Sequence, residues 1–104
     1  MDFQVEFSER AREELNEIVE RIEKEYDNPQ AAERFFVNVQ QKAVALAHNP
    51  FLYPLCFDER IYEKGYRRVI VGNYIIIYSI DEENELVFIR AIIYGRRDIG
   101  SIVN

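Results

Sequence analysis

The chain has 104 residues, 48% of them apolar and 31% charged, which fits one ordinary globular domain spanning 1–104 and excludes whole-chain disorder. Thirteen Lys/Arg against nineteen Asp/Glu give a net charge of −6, opposite to the sign of a generic nucleic-acid binder. A single cysteine, Cys56, excludes an internal disulfide and a cysteine-rich zinc site. No apolar run is long enough to span a bilayer, and the first residues lack a secretory pattern, so a reduced cytoplasmic setting is expected.

Residues Phe3–Phe7 alternate apolar and polar, which predicts a short strand. Ser8 follows as an N-cap, with Glu9 in the first helical turn. Ala11, Leu15, Ile18, Val19, Ile22 and Tyr26 then recur at steps of three and four, predicting an amphipathic helix. Asp27-Asn28-Pro29 ends it and opens another, with Asn28 as cap and Pro29 at the first helical position. The second stripe is Ala32, Phe35, Phe36, Val39, Ala43, Leu46 and Ala47, closing at Asn49-Pro50. So short a break implies an antiparallel helical hairpin. Pro50 to Lys64 has no clear period and reads as a loop.

From Tyr66 the period changes. Tyr66–Val71 is strand-like, and Gly72-Asn73 signals a two-residue hairpin. Tyr74–Ile80 is apolar on nearly every residue, as expected of a central strand. Asp81–Asn84 is a charged turn, and Leu86–Tyr94 is a third long strand broken at Gly95. Arg96–Val103 is expected to extend the sheet or form a short helix. The order is β-α-α-β-β-β, an α+β fold with a helical hairpin on one face of a mainly antiparallel sheet. The helices cover one face only. The central strand therefore predicts a second apolar face, closed by the terminal segment, a second copy or a partner chain.

Strict alternation along Leu86–Tyr94 puts Leu86, Phe88, Arg90, Ile92 and Tyr94 on one face. Val87, Ile89, Ala91 and Ile93 then meet the helices. On that reading Arg67, Arg68, Arg90, Arg96 and Arg97, with Lys64 nearby, converge with Tyr94. Guanidinium groups present a planar fork to phosphate oxygens, and a metal-free ribonuclease needs such charge beside proton-transfer groups. Tyr94 or a carboxylate such as Glu63 would supply the latter. The bland alternative for each arginine is a structural ion pair with one of the surplus acids. His48 reads as a cation at a helix C-terminus, and Cys56 as a small buried hydrophobe. Phe35, Phe36, Tyr74 and Tyr78 read as core. No phosphate-loop, dinucleotide or metal-ligand spacing occurs, so no cofactor or metal is expected.

The chain resembles the RelE/ParE superfamily, toxins of type II toxin–antitoxin modules, also called plasmid stabilisation proteins. The resemblance rests on Phe7-Ser8, on Ala32-Glu33-Arg34-Phe35, and on Leu46-Ala47-His48-Asn49-Pro50. Tyr66-Arg67-Arg68-Val69, Tyr74-Ile75-Ile76-Ile77-Tyr78 and Ile93-Tyr94-Gly95-Arg96-Arg97-Asp98-Ile99 complete it. It implies a cognate antitoxin whose apolar C-terminal segment covers the open sheet face, and it leaves room for a homodimer when the antitoxin is absent. It also implies one of two targets, DNA gyrase for ParE-like members or ribosome-bound mRNA for RelE-like endonucleases. A third option is a non-toxic member that only binds antitoxin. The helical hairpin and the Arg96-Arg97-Asp98 ending lean to the ParE-like side. The resemblance sets Arg67 or Arg68 where ribonuclease members often keep a basic residue, and Arg96 or Arg97 where some keep a C-terminal arginine. Tyr94 stands where related sequences commonly have histidine.

Overall fold

A computed structural model describes residues 2–56 and 64–95. The elements run β1 (Gln4–Phe7), α1 (Glu9–Glu25), α2 (Pro29–His48), β2 (Arg67–Val71), β3 (Tyr74–Asp81) and β4 (Leu86–Tyr94). The sheet order is β1-β4-β3-β2, with β1 parallel to β4 and the other pairs antiparallel. The expected α+β architecture is therefore observed. Arg96, Arg97, Glu63 and the expected element at Arg96–Val103 lie outside the described residues.

Local chemistry explains the boundaries. Ser8 Oγ accepts the Ala11 N–H at 3.0 Å and caps α1. Asn28 Oδ1 accepts the Ala31 N–H at 3.1 Å and caps α2, with Pro29 as its first residue. Between the helices Asp27 takes φ 46°, a left-handed conformation that aspartate tolerates and that turns the chain after α1. Tyr26, expected in the buried stripe, sits at the C-cap and is 70% exposed. The helix has already ended there, so its periodicity no longer aims the ring at the core. Gly72 takes φ 59° in the β2–β3 turn, where a residue with a Cβ would be strained.

The helix-side core joins Ala11, Leu15 and Ile18 of α1 to Phe35, Val39 and Leu46 of α2. Against them lie Val69, Val71, Ile76, Tyr78, Val87, Ile89 and Ile92 of the sheet. Phe36 is not core but part of the surface. The opposite face is a second cluster of Cys56, Ile75, Ile77, Ala91 and Ile93, with Tyr66 packed on it. These residues are buried within the single chain. The expectation of a sheet face left open for another polypeptide is thus overturned. The segment after α2 returns to the sheet edge: Leu55 bridges Arg67, and Cys56 N–H donates to the Tyr66 carbonyl.

Strict alternation along β4 fails at one residue. Ile77 pairs with Ala91, but its neighbour Tyr78 pairs with Ile89, so Arg90 is an extra residue in β4. One extra residue inverts every later side chain. Val87 and Ile89 face the helices as expected, whereas Ala91 and Ile93 face away and Ile92 faces in.

Candidate anion-recognition site on the outer sheet face

The bulge residue Arg90 is the centre of the site. Its Nε donates to Ser79 Oγ at 2.9 Å. Its guanidinium lies over the Phe88 ring at 5.1 Å and over the Tyr66 ring at 4.8 Å. Both rings stand on the outer face, so they hold the guanidinium plane, while the Ser79 bond uses only one of its five N–H donors. The Lys64 ammonium approaches the same Tyr66 ring at 6.0 Å. Arg68 follows Tyr66 by two residues and shares its face. Among the described residues no carboxylate lies within 4.0 Å of Arg90, so the alternative of a structural ion pair is not seen for this arginine. In a chain with nineteen acids, a half-buried arginine held by aromatic rings and a hydroxyl fits recognition of an external anion.

The other sequence candidates separate from this cluster. Arg67 is on the opposite face, where Nη1 donates to the Tyr53 carbonyl at 2.6 Å and the guanidinium lies 5.4 Å from the Phe51 ring. Beside it Tyr78 Oη donates to the Pro50 carbonyl at 2.7 Å. Burial pushes the Tyr78 hydroxyl well above its usual range, partly offset by the Arg67 charge. Arg67 and Tyr78 therefore fasten the 50–56 segment to the sheet. Tyr94 is also displaced, because the bulge turns it to the helix side. There it meets Tyr74 edge-on at 5.4 Å, and Tyr74 meets Phe35 at 5.1 Å. Tyr94 lines a small cavity of about 150 Å³ with Arg10, Glu14 and Arg21. Convergence of Tyr94 with Arg68 and Arg90 is thus not observed.

His48 ends α2, as expected, and its Nδ1 lies 3.0 Å from Asp2 Oδ1. Cys56 is fully buried, as expected of a packing residue. Ser79, Tyr66 and Phe88 join the site although the sequence pattern alone does not mark them as site residues. The available signal was the period of two, which sets Phe88 beside Arg90 and Tyr66 beside Arg68. Nothing in the sequence tied Ser79 to Arg90 across two strands.

A family model described as the ParE toxin of type II toxin–antitoxin systems matches residues 5–99. No curated protein sequence matches the chain. Among solved structures, the RelBE2 toxin–antitoxin complex of Mycobacterium tuberculosis is similar at 21% identity and TM-score 0.64, over 90% of this chain and 99% of that one. The intact RelBE complex of Escherichia coli aligns at 16% identity and TM-score 0.60, over 91% and 99%. The archaeal RelE–RelB complex of Pyrococcus horikoshii aligns at 16% and 0.55, over 93% and 99%. Identities this low establish the shared fold alone. With the family match covering nearly the whole length and the β-α-α-β-β-β topology in place, the chain belongs to the ParE toxin family of type II toxin–antitoxin systems.

Proposed function

We propose that the protein arrests growth by binding and inhibiting DNA gyrase, and that a cognate antitoxin neutralises it. The observation that carries this reading is the separation of Tyr94 from the outer-face cations. On this reading Arg90, with Arg68 and Lys64 on the same face, would contact the target, whereas the tyrosine that would move a proton in RNA cleavage stands on the other side of the sheet. A net charge of −6 also suits a protein target better than the ribosome. The family match points the same way.

An antitoxin partner is supported by the similar structures, which are toxin–antitoxin complexes. Its apolar segment would use a surface other than the buried outer face. A groove of about 650 Å³ runs between β1, α1 and α2, lined by Val5, Phe7, Leu15 and Phe36. Purified protein should block gyrase supercoiling at micromolar concentration, and adding antitoxin should restore it. Undisturbed supercoiling would overturn the reading.

The second reading is a ribosome-dependent mRNA endonuclease. It is favoured by the RelE folds among the similar structures and by the stacked cation Arg90, which suits phosphate. Codon-linked cuts in translated mRNA, mapped by primer extension during growth arrest, would establish it in place of the first.

A further inference from the structure

β2 is an edge strand that its own chain covers over only part of its length. Arg68 N–H points away from β3 and donates to the Pro54 carbonyl at 3.1 Å, and Cys56 N–H donates to the Tyr66 carbonyl at 2.9 Å. The 54–56 segment thus lies antiparallel to β2 as a short added strand. It stops at Pro54, which has no N–H to continue the ladder. Ile70 is two residues beyond Arg68, so its N–H and C=O point to the same side, away from β3. Neither group has a hydrogen-bond partner among the described residues.

Exposed edges are usually blunted by charge, proline or a bulge, because their free backbone groups pair with other chains. This one is not: residues 69–72 carry neither charge nor proline, and β2 pairs with β3 in unbroken register. The Ile70 side chain is 57% exposed. Beside it a groove of about 410 Å³ lies between β2 and α2, lined by Asn38, Gln41, Lys42 and Ala45. No acid lines this groove, and Lys42 makes no ion pair among the described residues. On a chain of net charge −6, that local sign selects an acidic partner.

We infer that the protein target adds an extended acidic segment to the β2 edge, pairing its backbone with Ile70 and setting a carboxylate beside Lys42. Main-chain hydrogen bonds give such a contact affinity, and the side chain gives it selectivity. Two observations assign the segment to the target rather than to the antitoxin. The groove is polar and cationic, unlike the surface an apolar antitoxin segment needs. Ile70 also shares the outer face with Tyr66, whose ring carries Arg90 at 4.8 Å, and four residues of extended chain separate the two by about 13 Å. One target surface would therefore reach both. The inference rests on the reading that the protein acts by binding a protein target.

Growth arrest on induction and binding to immobilised purified gyrase test it, with wild type, Ile70→Pro, Ile70→Thr and Lys42→Glu. Proline removes the outward N–H at an edge position and leaves the ladder to β3 intact, whereas threonine keeps that N–H. Ile70→Thr should arrest growth and bind gyrase as wild type does. Ile70→Pro and Lys42→Glu should each lose arrest and weaken binding by about tenfold or more, with unchanged thermal melting. Lys42→Glu, on the helix surface, decides alone if proline lowers the melting temperature. Full arrest by either variant, or equal losses in Ile70→Thr and Ile70→Pro, would overturn the inference. So would arrest by Ile70→Pro that co-expressed antitoxin no longer relieves, which would give the edge to the antitoxin. Wild-type arrest without gyrase binding would overturn the gyrase reading alone, and the growth comparison would still decide the edge. A wild type that never arrests growth would overturn both.

Discussion

Ser8 Oγ donates a 2.9 Å hydrogen bond to the carbonyl of Arg90, the one residue by which β4 exceeds its partner strand. The same oxygen accepts the Ala11 N–H, and the Ser8 N–H donates to the Ile89 carbonyl. One small side chain therefore caps α1 and satisfies the backbone that the bulge would leave unpaired. Glu14 assists nearly two turns later, where Oε1 accepts the Ile92 N–H at 3.0 Å beyond the end of β1. The bulge that aims Arg90 outward is held by the N-terminal turns of α1.

Ser8→Ala should accordingly cost more than a surface cap. Loss of the cap alone is worth about 1 kcal/mol, and the orphaned Arg90 carbonyl adds about 1 kcal/mol. Urea denaturation should show a drop in stability of about 2 kcal/mol in all. A change below about 0.5 kcal/mol, the scatter of ordinary surface substitutions, would show that the bulge does not depend on this hydroxyl.

Arg90→Ala should abolish growth arrest on induction while leaving the circular dichroism spectrum unchanged. The side chain contributes two ring contacts worth about 0.5–1 kcal/mol each, too little to unfold a domain. Arg90→Lys should not rescue, because an ammonium lacks the planar fork. Ser79→Ala removes the Nε acceptor but keeps both rings, and should weaken gyrase inhibition about tenfold. Full toxicity of Arg90→Ala would remove the outer face from the mechanism.

Most of this architecture was legible from residue patterns. Ser8, Asn28 and Pro29 marked the helix starts, and Gly72-Asn73 marked the hairpin, because caps and turns are local chemistry. The run Tyr74–Ile80, apolar at every position but Ser79, announced an interior strand, and it lies between β2 and β4. What failed was the phase of β4 after Arg90. A bulge is decided by pairing across strands, and Ile92 and Ile93 are equally apolar, so hydropathy could not say which one turned inward. That single slip carried Tyr94 away from the arginines. The same limit hid the closure of the outer face. Cys56 and Tyr66 are far from Ile77 and Ala91 in sequence and meet them only through the return of the chain along β2.

Tyr94→Phe should leave toxicity and gyrase inhibition within about twofold of wild type, below 0.5 kcal/mol in effect. The ring stays in its edge contact with Tyr74, and only the hydroxyl is lost. Growth curves after induction, with a supercoiling assay, make the measurement. A collapse of toxicity together with codon-linked mRNA cuts would assign the hydroxyl a proton-transfer role and favour the endonuclease reading.

Tyr78 makes stability depend on alkaline pH. Its hydroxyl is buried and donates to the Pro50 carbonyl, and its pKa is raised above the usual 10.0, chiefly by burial. Below pH 10 the phenol is neutral in both folded and unfolded chains, and its contribution is fully present. As pH rises past 10 the unfolded chain ionises first, so stability falls by up to about 1.4 kcal/mol per pH unit until the folded pKa is passed. Tyr78→Phe loses the hydrogen bond, about 1 kcal/mol at neutral pH, but also loses this slope. Urea midpoints of the two proteins should therefore converge between pH 9 and about pH 11. Parallel midpoints across that range would show that Tyr78 ionises freely in the folded state, and that the 50–56 segment is not locked to the sheet through this hydroxyl.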